Sequence, residues 1–182
     1  MLLILGAILV AVAIGLAAGG RLRGIGATPI RWVWLALVGV ALQYLVIRGT
    51  WAFPVLLASF ACLLAFAGAN VRQPGFAVIL VGLALNALVI AANRGMPVTR
   101  NALADSGQSS SAHELITDAD GAKHRLADDG TVLLPLADVL GIPQPVGQAV
   151  SPGDLLVDLG IGWFVVAAMR RPVTQPATPA EA

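Results

Sequence analysis

Five apolar stretches, each close to the length needed to cross a bilayer, constrain the fold of this 182-residue chain more than any other feature. A spanning helix needs roughly 20 mostly apolar residues. The stretches lie at about 1–20, 32–48, 52–68, 76–92 and 153–169. They predict an all-α integral membrane protein: a five-helix transmembrane bundle with one extracytoplasmic polar insert between helices 4 and 5.

The composition supports a membrane protein over a soluble one. Hydrophobic residues make up 58% of the chain and charged residues 12%, and the mean hydropathy is +0.85. A soluble domain of this length has no core large enough to hide so much apolar surface. We therefore expect residues 1–172 to form a single membrane domain. The Pro/Ala/Thr-rich tail, 173–182, is expected to be disordered, and no nucleic-acid partner is expected.

The charges predict an orientation in the membrane. No Asp or Glu precedes Asp105, so the first 104 residues are charged only by arginine. Arginines near helix ends are more frequent on the cytoplasmic side. One set of short segments holds six of them: Arg21, Arg23, Arg31, Arg72, Arg170 and Arg171. The other set holds Arg48, Arg94 and Arg100. This predicts an N-terminus outside, a cytoplasmic C-terminus and an extracytoplasmic insert.

The insert, residues 93–152, contains seven of the ten Asp and Glu residues and both histidines. We expect its two ends to be ordered and residues 101–112 to be loose. The segment 123–126 is expected to pair with 131–134 as a hairpin, with turns at the Asp-Gly pairs. Residues 136–140 fit a short helix ended by Gly141.

Two carboxylates open the last predicted span. Ser151, Pro152 and Asp154 match the N-cap, N1 and N3 positions of a capping box, which accounts for Asp154 without any function. Asp158 lies one turn deeper, where an ionised carboxylate is costly in a membrane. A structural hydrogen bond or ion pair, and a ligand or proton role, both remain open for Asp158. We expect Asp158→Asn to impair function more than Asp154→Asn.

Three residues of the fourth span and its end are the other candidates for a polar site. Asn86 and Asn93 are seven residues apart and therefore on one helical face, which is expected to point inward, toward Asp158. Arg94 is at a depth that would allow an ion pair with Asp158. Gln43 and Asn86 are also explained by interhelical hydrogen bonds.

Catalytic and metal-binding patterns are weak in this sequence. His113 and His124 are ten residues apart and match no zinc template, so we assign no metal site. No nucleophile elbow, phosphate-binding loop or dinucleotide fingerprint is present. The sequence therefore predicts no cofactor and no catalytic residues, and it favours a protein without enzymatic activity.

Several segments together resemble a known family. These are Gly19 to Arg23, Asn93 to Val98, His124 with Thr131 to Asp138, and Ser151 to Asp154. They are similar to an uncharacterised family of small bacterial integral membrane proteins, with an Asn-Gly-Gly-x-Met-Pro-Val-like motif and a Ser-x-Gly-Asp motif before the last helix. This chain has Arg94 where that pattern often has glycine. The resemblance implies a multi-pass protein of the bacterial plasma (inner) membrane, and it implies no activity.

Two functions fit these observations. The first is binding or passage of a lipid-like or small polar ligand at the outer leaflet, beneath the insert. Its polar cluster would be Asp158, Arg94, Asn93, Asn86 and Asp154. The alternative is a non-catalytic assembly or regulatory subunit of a membrane complex, which would bind a membrane protein partner through the insert. The phospholipid bilayer is a partner in both cases.

Overall fold

A computed structural model describes residues 2–44, 49–110 and 123–172 of the chain. The described α-helices are α1 Leu2–Ala17, α2 Arg23–Gly26, α3 Val33–Tyr44, α4 Ala52–Ala69, α5 Phe76–Asn93, α6 Arg100–Asp105 and α7 Pro152–Met169. The described strands are β1 Met96–Val98, β2 His124–Leu126, β3 Leu140–Ile142 and β4 Gln148–Val150. Short 3-10 helices span Gly49–Trp51 and Leu134–Leu136. The tail, 173–182, for which disorder is expected, lies outside the described residues.

Three helices, α4, α5 and α7, are each 18 residues long and apolar enough to cross a membrane. They agree with three of the predicted spans to within a residue at each end. The helices α1 and α3 are apolar but shorter, with 16 and 12 residues. Residues 45–48, which follow α3, lie outside the described part of the chain. A bundle of five spans therefore stays a prediction.

The long helices pack side by side in the order α1, α7, α5, α4, α3. The main apolar core lies between α4, α5, α7 and the start of the insert, and includes Phe60, Ile79, Val89, Ile90 and Met96. The ring of Phe76 is in edge-to-face contact with Phe66 on α4 and Phe164 on α7, at centroid distances of 5.5 and 5.3 Å. Aromatic contacts thus join the three helices of spanning length.

Two glycine pairs allow α5 and α7 to approach each other closely. A Cβ atom on Gly75 would lie 2.1 Å from the carbonyl oxygen of Gly160, and one on Gly82 would lie 2.5 Å from that of Gly153. Small residues permit such contacts between helices. The members of each helix are seven residues apart, so they share one face. The pairing runs in opposite directions along the two helices, which are therefore antiparallel.

The insert contains two small sheets, so the prediction of an all-α fold is wrong there. β1 pairs with β2 in parallel, and β3 pairs with β4 in antiparallel fashion. The predicted hairpin between 123–126 and 131–134 is also wrong. The buried strand β1 has two polar backbone edges to satisfy: Met96 donates its N–H to the Lys123 carbonyl at 2.9 Å, and Pro97 accepts from the Asp138 N–H at 3.0 Å.

Two further local predictions for the insert differ from the structure. The stretch expected to be loose begins with α6, whose N-cap Thr99 accepts a hydrogen bond from the Ala102 N–H. The helix expected over 136–140 is absent, since the 3-10 helix ends at Leu136 and β3 begins at Leu140. The reason is that the backbone of Asp138 bonds to β1, which requires an extended chain.

The bundle has two ends that differ in composition. At the end we call the arginine end (residues 18–32, 70–75 and 170–172), Arg21 donates its N–H to the Met169 carbonyl at 2.7 Å, and Arg171 donates to Gln73 at 2.5 Å. At the opposite end, called the insert end (residues 49–51, 94–110 and 123–151), the described part of the insert covers the ends of α3, α5 and α7.

Candidate functional site

A cavity of about 170 Å³ lies at the insert end, between the helix ends and the insert. Its polar lining residues are Gln43, Asn86, Lys123, His124, Asp138, Gln148 and Asp154, and its apolar ones are Phe60, Ile90, Met96 and Ala149. A space of this size holds several water molecules or one small polar group. The helices α3, α4, α5 and α7 and the strands β1, β2 and β4 all contribute.

One wall of the cavity is a closed hydrogen-bond network between α5 and α7. The Ser151 hydroxyl accepts from the Asp154 N–H, and Asp154 Oδ2 accepts from the Ser151 N–H, both at 3.0 Å. This confirms the predicted capping box. Asn86 extends it, because its Nδ2 donates to Asp154 Oδ1 at 2.8 Å and its Oδ1 accepts from the Ser151 hydroxyl at 2.9 Å. The cap of α7 is thereby fixed to the middle of α5.

A glycine makes this network possible. A Cβ atom on Gly153 would lie 2.0 Å from Asn86 Oδ1 and 2.8 Å from the Gly82 carbonyl oxygen. Any other residue at this position would displace the amide that joins the two helices. The Pro-Gly pair after Ser151 therefore has two separate roles: Pro152 starts the helix, and Gly153 leaves room for Asn86.

Asp138 is placed in the opposite wall by the backbone of β1. Its N–H donates to the Pro97 carbonyl at 3.0 Å, and its own carbonyl accepts from the Thr99 N–H at 3.1 Å. Proline has no N–H, so Pro97 has no backbone donor that needs a partner on the edge of β1 that faces Asp138. A proline is therefore tolerated here although β1 has a neighbour on each side. The pairing holds the Asp138 side chain against the cavity.

The carboxyl group of Asp138 is buried and only partly satisfied. The residue is 3% exposed, and its Oδ1 is the one buried side-chain oxygen or nitrogen without a hydrogen-bond partner in the described part of the chain. Burial, and secondarily the charge of Asp154, raises the pKa of Asp138 to about 8, although Lys123 opposes the shift. The carboxyl group therefore carries a proton at neutral pH.

Lys123 and His124 supply the nitrogen atoms of the cavity. Lys123 Nζ donates to Gln43 Oε1 at 2.7 Å, and burial lowers the pKa of Lys123 although Asp154 and Asp138 oppose this shift. His124 Nε2 lies 3.6 Å from Asp138 Oδ2. The imidazole is 44% exposed, and its partial burial together with the nearby Lys123 ammonium lowers the pKa of His124. The imidazole is therefore neutral at neutral pH.

Comparison with known proteins places the chain in a family. The model of DUF5317, a family of unknown function, matches residues 27–166. The chain belongs to DUF5317. Membership of an uncharacterised family agrees with the resemblance drawn from the motifs, and the matched region includes 93–98 and 151–154 but not 19–23. No curated protein and no solved structure matched the chain.

The DUF5317 chain brings two of the five predicted site residues to the cavity, Asn86 and Asp154. Asn93 is buried, but it bonds to the backbone of Val132 rather than facing the cavity. Arg94 is exposed at the left-handed C-cap of α5, with its guanidinium 6.0 Å from the centre of the Phe53 ring. The common face of Asn86 and Asn93 therefore points inward as expected, though to two different partners.

Asp158 is half-buried on α7 and is not among the residues that line the cavity of this DUF5317 chain. Within the described residues, no ion pair joins it to Arg94. Asp158 lies one helical turn further from the insert than Asp154, so Asp154 is the carboxylate that lines the cavity. The carboxylate closest to the helix end is the one that meets Asn86.

Three titratable residues of the cavity, Asp138, Lys123 and His124, were not predicted to belong to the site. Asp138 ends an apolar run from Val132 to Ala137, and a carboxylate that directly follows such a run is the signal that pointed to it. His113 lies outside the described residues, so a metal-binding role can be assessed only for His124. Among the residues that the structure describes, no cluster of His, Cys, Asp and Glu suits a metal ion.

Proposed function

We propose that the protein binds a small polar ligand, or the polar part of a lipid, in the cavity at the insert end. The observation that carries this proposal is Asp138, a residue of the cavity lining whose buried Oδ1 has no hydrogen-bond partner among the described residues. Leaving such an atom unsatisfied costs about 1–3 kcal/mol. A ligand in the cavity would supply the missing hydrogen bond.

The surroundings of Asp138 favour a binding site over a defect of packing. The carboxyl is held by backbone bonds on both sides of residue 138, so its position is imposed by the sheet. The cavity beside it is lined by side chains from both the helices and the insert. Sites with few polar groups converging on a partly apolar space are typical of ligand pockets.

The proposed setting is the plasma membrane of a bacterium. The helices α4, α5 and α7 span it, and the shorter apolar helices α1 and α3 are proposed to complete five spans. The six arginines of the arginine end support a cytoplasmic location for that end, which puts the N-terminus, the insert and the cavity on the outer side. A cysteine introduced at the exposed Ser109 should then react with an impermeant maleimide in intact cells, and reaction only after lysis would reverse the orientation.

Mass spectrometry of molecules extracted from the purified protein tests the binding proposal. We expect a small polar molecule or lipid in near-stoichiometric amount with the wild type. Asp138→Ala should reduce that amount at least tenfold, as expected for loss of a hydrogen bond in a buried site. The matched control is Asp129→Asn, an exposed carboxylate outside the cavity. Equal amounts in all three proteins would contradict the proposal.

One observation favours the second candidate, a subunit of a membrane complex. The insert exposes the consecutive apolar residues Val132, Leu133 and Leu134, which are 52%, 36% and 39% exposed. Exposed apolar patches mark protein or membrane contacts. Native mass spectrometry from gently solubilised membranes would show a discrete complex that Leu133→Ser dissociates. A protein that remains monomeric under these conditions would contradict this candidate.

A further inference from the structure

Three polar side chains of the cavity lining, those of Asp154, Asn86 and Gln43, already use their oxygen atoms as hydrogen-bond acceptors. Asp154 accepts one bond at each carboxylate oxygen, from Asn86 and from Ser151. The side-chain oxygen of Asn86 accepts from Ser151, and that of Gln43 accepts from Lys123. A ligand that offered mainly donors would have to displace bonds that hold α5 to α7 and the insert to α3.

The donors, in contrast, have capacity to spare. A lysine ammonium has three N–H groups, and one of those of Lys123 is directed to Gln43. Asp138, with a pKa raised to about 8 by burial and by Asp154, is a donor at neutral pH rather than an anion. The titratable groups that face Asp138 are His124 and Lys123 from the start of β2, and Asp154 from α7.

The charge of Lys123 also has no direct counter-ion among the described residues. Within the described part of the chain, no ion pair joins Lys123 to a carboxylate. Both oxygens of Asp154 are directed to other donors. A ligand with a single negative charge would balance the one ammonium, whereas a dianion would leave one charge unbalanced and would meet about twice the repulsion from Asp154. The cavity extends from the insert to Asn86 on α5 and Phe60 on α4. In a bilayer that the long helices cross, its insert side would lie near the lipid head groups.

We propose that the ligand is a phosphodiester whose oxygen atoms accept hydrogen bonds from Lys123 and from the carboxyl group of Asp138. This inference rests on the proposed function and names the chemical class of its ligand. A phosphodiester reaches such a cavity either as the head group of a membrane lipid or as a free, water-soluble ester. The apolar floor formed by Phe60, Ile90 and Met96 accommodates the carbon atoms on either side of the phosphate.

Three probes test this inference on the full chain in an uncharged detergent: dihexanoyl phosphatidylglycerol, glycerophosphoglycerol and hexylammonium. Calorimetry at pH 6.5 should show saturable binding of dihexanoyl phosphatidylglycerol. Lys123→Gln and Asp138→Ala should each weaken it roughly tenfold or more, and Asp129→Asn should not. Equal affinity of glycerophosphoglycerol would identify a free ester as the source, and binding of the lipid probe alone would identify a head group.

The pH profile separates a donor role of Asp138 from an anionic one. Wild-type affinity for dihexanoyl phosphatidylglycerol should fall between pH 6.5 and 9, as the carboxyl loses its proton. Asp138→Asn, which keeps a donor at all pH values, should show a flatter profile, and the decline that remains belongs to Lys123. Saturable binding of hexylammonium that Asp138→Asn abolishes would overturn the inference. Failure of all three probes would overturn it too, while a co-purified molecule of another class would leave the proposed function standing.

Discussion

Two asparagines hold the opposite ends of the bundle in the same way. Asn70 accepts from the Arg31 N–H and donates to the Arg31 carbonyl, both at 2.8 Å. Asn93 accepts from the Val132 N–H and donates to the Val132 carbonyl, both at 2.9 Å. Each also donates to the carbonyl four residues earlier in its own helix, of Phe66 or Val89. At each end, one amide therefore fixes a distant segment to the terminus of a long helix.

The two asparagines hold different kinds of structure at the two ends of the bundle. At the arginine end, the amide of Asn70 secures a connection between helices, and Gln73 is bonded to Pro29 and Arg171. At the insert end, the same kind of amide holds a segment over a cavity, beside which Asp138 retains an unpaired oxygen. Buried polar atoms are nearly always paired. The comparison therefore supports the proposal that the insert end binds a ligand, whereas the side-chain amides of the arginine end have bonding partners that stabilise the bundle.

The largest effect should come from the protonation of Asp138. Its pKa is about 8 in the folded chain against 3.8 for an ordinary Asp. Between these values the folded state binds more protons than the unfolded state, so the free energy of unfolding falls as pH rises, by up to about 1.4 kcal/mol per pH unit. Below pH 6.5 the lowered pKa of His124 acts in the opposite direction, so melting temperatures are compared at pH 6.5, 7, 7.5 and 8. They should decline for the wild type and for Asp129→Asn. Asp138→Asn should show a smaller slope; identical slopes would remove the distinction between the two ends.

The same carboxylate shows where the sequence was sufficient and where it was not. Apolar length predicted α4, α5 and α7, and the Ser-Pro-Gly-Asp order predicted the cap of α7, because both depend on local chemistry. The position of Asp138 depends on non-local pairing, because β1 pairs with β2 on one side and with residue 138 on the other, and both partners come much later in the chain. No local pattern specifies such pairing, so the hairpin and helix predicted for the insert were wrong.

The candidate site was predicted in part for the same reason. The seven-residue spacing of Asn86 and Asn93 correctly placed them on an inward face, and the helix N-terminus correctly placed Asp154. Which carboxylate meets Asn86 depends on how closely α5 and α7 approach, and this depends on Gly82 and Gly153. The depth of a residue along its own helix was therefore not enough to choose between Asp154 and Asp158.

Gly75→Ala should give the second-largest effect and should act on stability. Gly75 has a φ of +81°, and a Cβ atom there would lie 2.1 Å from the Gly160 carbonyl oxygen. Overpacking and the left-handed conformation together should cost about 2–5 kcal/mol. Thermal unfolding in detergent measures this loss. Gly6→Ala is the control, because no atom lies within 4 Å of its added Cβ. A melting temperature as high as that of the control would show that α5 and α7 separate easily near the arginine end.

Removing the two clamping amides tests the comparison directly. Asn70→Ala and Asn93→Ala each delete three hydrogen bonds, of which the two to the distant segment are partly buried. We expect each substitution to cost about 2–3 kcal/mol. The two substitutions should affect opposite ends of the bundle. Hydrogen exchange should quicken at Val132 in Asn93→Ala and at Arg31 in Asn70→Ala. Binding in the cavity should weaken in Asn93→Ala and persist in Asn70→Ala. Equal loss of binding in both would mean that the two ends are not independent.

The smallest effect sharpens the choice between two carboxylates on one helix. Asp154 uses both oxygens as acceptors, and an amide at that position has one acceptor, so Asp154→Asn must lose the bond to Asn86 or the one to Ser151. We expect a cost of about 1 kcal/mol and weaker binding. Asp158 has no such pair of bonds among the described residues, and replacing a carboxylate by an amide within a span lowers the cost of burial. Asp158→Asn should therefore leave binding unchanged, which reverses the ranking expected from the sequence. Stronger impairment by Asp158→Asn would move the site deeper into the bundle, away from the insert.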